Sequence, residues 1–189
     1  MATKFNYASG LPRTLKSKGY LPGQVTKAFG PRFVAAGFWD SARTDTAEFG
    51  AFVEVNAGDN YAYEVIPVAA STTAAELALV VRDVVGSASL TDGMISGPKE
   101  HVALSLFLGT SGQKGTAVAI LDSTNGGSPA VDGAVFVGTG ASVSTVSGVV
   151  YATNYNSECI AATNWKFAST KYAPLVSTTT YVVDVKYTG

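Results

Sequence analysis

The sequence predicts a mainly β protein: a compact antiparallel β-barrel or sandwich-like body preceded by an extended N-terminal arm. Three observations lead there. Short runs rich in Val, Thr, Tyr and Phe recur through residues 40–189, separated about every ten positions by clusters of Gly, Asn, Asp, Ser and Pro. Several runs alternate apolar and polar residues with period two, the repeat of a strand with one buried face. Residues 1–39 instead carry Gly10, Pro12, Gly19, Pro22, Gly23, Gly30 and Pro31, which interrupt helix and ladder alike.

Residues 1–39 therefore read as an arm and residues 40–189 as a β-rich body. Along the arm lie Phe5, Tyr7, Leu11, Leu15, Tyr20, Leu21, Val25, Phe29 and Phe33, anchors that a purely disordered tail would lack. Such an arm is expected to lie on something. Fully extended it reaches about 130 Å at ~3.3 Å per residue, far enough to cross onto a neighbouring subunit. It carries Lys4, Arg13, Lys16, Lys18, Lys27 and Arg32 with no acid before Asp40, so a basic arm joins an acidic body.

Within the body, Tyr61, Tyr63 and Val65 alternate ahead of Pro67. Thr73-Ala74-Ala75-Glu76 fits a helix capping box, and local signals alone would continue it as a helix over Leu77 to Val85, closed by Gly86. Val80, Val81, Val84 and Val85 are β-branched, however, and the surrounding chain is strand. We therefore expect no more than a helical turn near Thr73, followed by a strand. In His101 to Leu108 the residues Val102, Leu104, Leu106 and Leu108 share a face, and in Thr180 to Tyr187 so do Tyr181, Val183, Val185 and Tyr187. Turn chemistry falls between them at 56–60, 110–113 and 123–129, where Gly and Asn tolerate positive φ. No internal repeat of fixed period occurs.

Composition narrows the function classes. A chain of 189 residues buries a sizeable core and fits one domain with an appended arm. Charged residues are 14% of it, against roughly 25% in a typical soluble domain, which suits a surface that meets other protein. The net charge of -1 argues against nucleic acid as a partner, since that binding rests on a basic excess. No apolar run approaches the ~20 residues that cross a bilayer, and the start lacks a secretory pattern. We expect synthesis in a cytoplasm and no membrane partner.

Chemistry is sparse. The one histidine, His101, opens a strand beside Glu100, a poor start for acid-base catalysis and the place any β-rich hydrolase would have to build on. No Gly-x-Ser-x-Gly elbow or phosphate loop occurs, and Gly138-Thr139-Gly140 reads as a turn. The lone cysteine, Cys159, reads as a small buried hydrophobe. One Cys and one His cannot form a zinc site of the usual kind. Asp122 to Gly127 lacks the carboxylate spacing and closing Glu of a calcium loop and reads as a surface loop. Phe38, Trp39, Phe49, Phe52, Trp165 and Phe167 read as core or interface rather than as stacking platforms. No catalytic residue, cofactor or metal is expected.

The order of segments nevertheless resembles one family. Gly19-Tyr20-Leu21-Pro22-Gly23-Gln24-Val25 is similar to the Pro/Gly-Gln element near the start of the phage structural cement proteins, which decorate mature heads. Glu48-Phe49-Gly50-Ala51-Phe52-Val53 resembles their short strand opening with a Phe-Gly pair. Leu77 to Asp83 resembles their valine-rich strand, and Val102 to Leu108 followed by Lys114 to Val118 their next strand, turn and strand. Asp132 to Val137, Ile160 to Phe167 and Val182 to Val185 complete the order. Ala117 to Leu121 departs from the pattern by lacking aromatic residues.

The resemblance implies a non-enzymatic virion protein on the capsid exterior, made in a host bacterial cytoplasm. Its implied partners are the major capsid protein and further copies of itself. Together with the arm's charge and anchors, it points to Lys16, Lys18, Tyr20, Leu21, Lys27, Phe29, Arg32 and Phe33 as capsid-binding residues. A head-fibre or receptor-binding module, adhering to host glycans, shares the low charge and the Ser/Thr/Gly-rich strands and is the alternative.

Overall fold

The computed structural model describes residues 22–25, 34–39, 47–56, 63–81, 89–91, 94–96, 103–109, 111–121, 127–141, 145–175 and 180–189. The first strands in chain order are β1 (Val34–Trp39), β2 (Ala47–Glu48), β3 (Phe52–Asn56), β4 (Tyr63–Ile66), β5 (Leu77–Val81), β6 (Ser89–Thr91) and β7 (Met94–Ser96). They are followed by β8 (Ala103–Phe107), β9 (Lys114–Ile120), β10 (Ala134–Gly138), β11 (Val150–Tyr151), β12 (Cys159–Pro174) and β13 (Thr180–Tyr187).

The protein is mainly β, and its body is built from closed barrels. Strands β1-β4-β3-β5-β8 close one ring and β10-β11-β9-β13-β12 a second, while β2, β7 and β6 form a small separate sheet. Pairing is antiparallel except between β1 and β4 and between β9 and β11. Where the sequence suggests a single barrel or sandwich, the chain thus makes two small barrels. The reason lies in strands that are apolar on both faces. In β5, Ala78 and Val80 join Phe49, Val53, Val65 and Leu106 in the first barrel's own cluster. Leu77, Leu79 and Val81 face the other way, into a cluster shared with the second barrel. Phe52 on β3 and Phe107 on β8 do the same. A strand buried on both faces needs a cover on each, and here the second barrel is the outer one.

Trp165 of β12 holds the two together. It is fully buried, and its ring meets Phe52 at 5.0 Å, Phe107 at 5.4 Å and Tyr187 of β13 at 5.2 Å, all edge-to-face. That geometry sets the positive rim of one ring on the negative face of the next. The backbone seals the seam: Phe52 N–H donates to Gly148 O (2.8 Å) and Val118 N–H to Gly50 O (2.9 Å), and Ser147 Oγ donates to Val68 O (3.0 Å). At Gly148, with φ +78, a Cβ would run into Phe52 O.

The shared core also accounts for the missing aromatics of β9. Ala117 and Ala119 are fully buried in it, and a Cβ on Gly115 would lie 2.7 Å from Leu79 Cδ2. Small residues leave room for the large side chains brought by β5 and β8.

Near Thr73 the chain makes a single helical turn, Ala74–Glu76, and then enters β5 directly, as the β-branched residues suggest. The Glu76 carboxylate accepts from Thr73 N–H at 2.7 Å. Thr73's backbone and then its side chain hold the Glu76 carboxyl below the usual glutamate range. The contribution of this cap is therefore complete above that range and is lost as acid protonates the group. The alternation expected in β13 is present, with Tyr181, Val183, Val185 and Tyr187 on the shared core. Its other face also buries Val182, against Ala173.

One boundary moves. Residues 34–39, placed by the sequence in the arm, form β1 and pair with β4 and β8. Their glycine serves packing rather than freedom, since a Cβ on Gly37 would lie 2.5 Å from Leu106 Cδ1 and 2.7 Å from Val65 Cγ2.

Replacing Trp165 by Ala is expected to cost about 3–5 kcal/mol, whereas Val131→Ala at an exposed turn should stay within about 0.5 kcal/mol of the parent. Urea unfolding followed by circular dichroism compares the two.

Candidate functional site

The eight residues that the sequence nominates for binding, Lys16, Lys18, Tyr20, Leu21, Lys27, Phe29, Arg32 and Phe33, all lie outside the described residues. Between Leu21 and Lys27, however, Pro22-Gly23-Gln24-Val25 is described, and it is seated on the body.

The seat is one edge of β9. That strand pairs with β13 from Lys114 to Ile120, but on its other edge β11 reaches only Ala119. The rest of that edge would leave backbone groups without partners inside the protein, which is costly. Val118 N–H is taken by Gly50 O, and Thr116 is taken by residues 22–25, which lie across the edge as a strap. Thr116 N–H donates to Gln24 O (2.8 Å) and Gly23 N–H to Thr116 O (2.8 Å). Gln24 N–H donates to Thr116 Oγ1 at 2.8 Å, and Val25 forms an antiparallel bridge with Gly115. This is strand addition by a short peptide, the mode in which main-chain bonds supply affinity. Val25 also packs against the shared core, and Pro22 and Gly23 are buried.

Two glycines make the fit possible. Gly23 (φ +72) and Gly50 (φ +80) occupy the left-handed region that side chains disfavour. A Cβ on Gly50 would lie 2.9 Å from both Gly23 N and Pro22 Cβ, and a Cβ on Gly23 would lie 2.9 Å from Val80 O and 3.2 Å from Phe49 Cβ. The Pro22-Gly23 and Phe49-Gly50 turns are thus interlocked. The strap touches both barrels, reaching β9 in the second and the Phe49-Gly50 turn and Val80 in the first.

Sequence reasoning treats Pro22 to Val25 as part of the arm and does not mark them as seated. One signal was present: Thr116 is a hydroxyl in an otherwise apolar run, and the structure buries it to 5% exposure as a residue with a hydrogen-bond partner.

Other nominated features resolve as packing. Phe49, Phe52, Trp165 and Phe167 are buried to 2% exposure or less, which closes them to stacking on sugars or bases. Cys159 is half-buried with Tyr151, Tyr155 and Leu175, and burial pushes its thiol above the usual range. Gly138 ends β10 and Thr139-Gly140 leaves it as irregular chain, with Gly140 at φ +65 and Thr139 Oγ1 donating to Glu158 O at 3.0 Å. Among the described residues no group of three or more His, Cys, Asp or Glu side chains is placed to hold a metal ion. No described helix is long and apolar enough to cross a membrane. His101 and residues 122–126 lie outside the described residues, as do the side chains of Phe38 and Trp39.

No family model matches the chain, and no curated protein does. Among solved structures, a chain of the capsid of Myoviridae phage XM1 is similar to it. The two are 18% identical, with a TM-score of 0.55, and the match covers 100% of this chain and 98% of that one. The likeness is one of fold and runs from end to end.

Gly50→Ala is expected to destabilise the protein by about 1–3 kcal/mol through strain at positive φ and the clash with the strap, measurable by urea unfolding. Cys159 is expected to react with iodoacetamide at pH 8 more slowly than the same thiol in urea-unfolded chain, because its raised pKa leaves little thiolate. Mass spectrometry of the adduct follows it.

Proposed function

We propose that this chain is a structural virion protein, a cement or decoration protein that binds the outer surface of a tailed-phage capsid and bridges neighbouring major capsid subunits. The observation that carries this reading is the end-to-end likeness to a chain of a phage capsid. The low charge supports it, since a surface poor in charge loses little solvation when it meets protein. So does the seated strap, which gives an N-terminal arm a fixed root.

On this reading the protein acts by geometry and not by catalysis. The two barrels form a rigid body above a junction of capsid subunits, and the arm lies along the lattice. Lys16, Lys18, Lys27 and Arg32 steer and register it against acidic capsid surface, each exposed pair contributing little. Tyr20, Leu21, Phe29 and Phe33 supply most of the affinity, at roughly 1.5–3 kcal/mol for each large side chain buried. Many copies on one shell, in contact with one another, multiply weak contacts into firm attachment.

Co-sedimentation with capsids stripped of the protein tests this. Because residues 34–39 are β1 and 22–25 are the strap, the longest truncation sparing both stops at residue 21, removing Lys16, Lys18, Tyr20 and Leu21 and keeping Lys27, Phe29, Arg32 and Phe33. The full chain is expected to pellet with capsids, and the chain lacking residues 1–21 to pellet with an affinity at least tenfold lower. Tyr20→Ala with Phe29→Ala should weaken binding about a hundredfold or more. Binding by the truncated chain at full strength would move the contact away from residues 1–21, and a further Phe29→Ala with Phe33→Ala that also left it unchanged would move it to the barrels. Failure of the full chain to bind would discard the cement reading in favour of a head-fibre or receptor-binding module, to be pursued on host glycans.

A further inference from the structure

We propose that the Pro22–Val25 strap is the positioning element that couples the arm to the body, fixing where the arm departs and joining it to both barrels at once. This rests on the arm being the capsid-binding part. The nominated binding residues lie on both sides of the strap, with Leu21 and Lys27 close to its ends. An arm held at that point transmits its attachment to the body through the strap.

The bonds that seat it run to β9 of the second barrel: Gly23 N–H to Thr116 O, Gln24 N–H to Thr116 Oγ1, and Thr116 N–H to Gln24 O, each at 2.8 Å. The first barrel shapes the other wall of the slot through Phe49, Gly50 and Val80 O, with no room for a side chain at residue 23. Gly50 takes part twice, receiving the strap and accepting from Val118 N–H across the seam at 2.9 Å. Lifting the strap therefore uncovers the β9 edge beside one of the bonds that join the two barrels. Reciprocity follows: if a seated strap strengthens the arm's binding, binding of the arm strengthens the seat by the same factor. The residue-116 amide reports the seat directly, because it exchanges with solvent when the strap lifts.

The test uses the full chain with Gly23→Ala, Thr116→Val and Thr116→Ser. Thr116→Val removes the hydroxyl that Gln24 N–H needs at nearly constant volume and covers the case in which Gly23→Ala does not fold. Hydrogen exchange at residue 116, cooperative urea unfolding and co-sedimentation with stripped capsids are read on each. In the wild type, capsid binding is expected to slow exchange at residue 116 at least tenfold. In Gly23→Ala and Thr116→Val that amide should exchange rapidly, the body should still unfold cooperatively, and capsid affinity should fall at least tenfold. Thr116→Ser, which keeps the hydroxyl, should restore both readouts. If the wild type binds and the variants bind equally well with the amide exposed, the coupling is wrong while the cement reading stands. If the amide stays protected in Gly23→Ala and Thr116→Val, the account of how the strap is seated is wrong. If the wild type does not bind capsids, both readings fall.

Discussion

The double burial of β5 is the constraint on which the rest of this structure depends. A five-stranded ring of short strands encloses few side chains, and a core that small stabilises a chain only marginally. Leu77, Leu79 and Val81 on the outside of the first ring are as buried as Ala78 and Val80 on its inside. The two rings therefore share one core and stand or fall together. Trp165 is the side chain that reaches across, and its three edge-to-face neighbours come from both barrels: Phe52 and Phe107 from the first, Tyr187 from the second. The small residues of β9 are the counterpart of this arrangement, since Ala117 and Ala119 occupy positions where larger side chains would drive the barrels apart.

Closure decides the second level of the architecture. Closing strands into rings removes the free edges that are the usual liability of a β protein, leaving the small β2-β7-β6 sheet open. Among the described residues of the two rings, an edge opens at β9 below Ala119, where the ladder to β11 ends. Gly50 and the Pro22–Val25 strap cover that gap with main-chain bonds, and the two left-handed glycines bring the backbones close enough to form them. Ion pairs contribute little by comparison. Lys186 and Asp132 meet at 2.5 Å, but the Asp132 side chain is 66% exposed, and such surface pairs are typically worth under about 1 kcal/mol.

On the proposed reading, these features suit a protein that works by attachment. A rigid double barrel with few charges offers a surface for other protein, and an arm rooted at the seam draws on the stability of the whole core. The half-buried thiol and the enclosed aromatics serve packing.

The sequence by itself determined the class of local structure. Period-two alternation identified β13, β-branched residues turned Leu77–Val81 from helix to strand, and the cluster at 110–113 placed the turn at Ser111-Gly112. These are legible because they depend on neighbours within a few residues. That Phe49, Phe52, Trp165 and Phe167 are core was legible for the same kind of reason. The second barrel, the placement of β1 in the first, and the seat of the strap were decided only by the tertiary structure. Each depends on residues far apart in the chain: Phe52 with Trp165, Gly37 with Leu106, Gln24 with Thr116. Pro22-Gly23 and Phe49-Gly50 look alike as isolated turns, and nothing in either stretch says that it must fit against the other. Their complementarity exists only once β5 and β9 have been packed together, because it is that packing which leaves an edge to be covered and a space too narrow for any side chain.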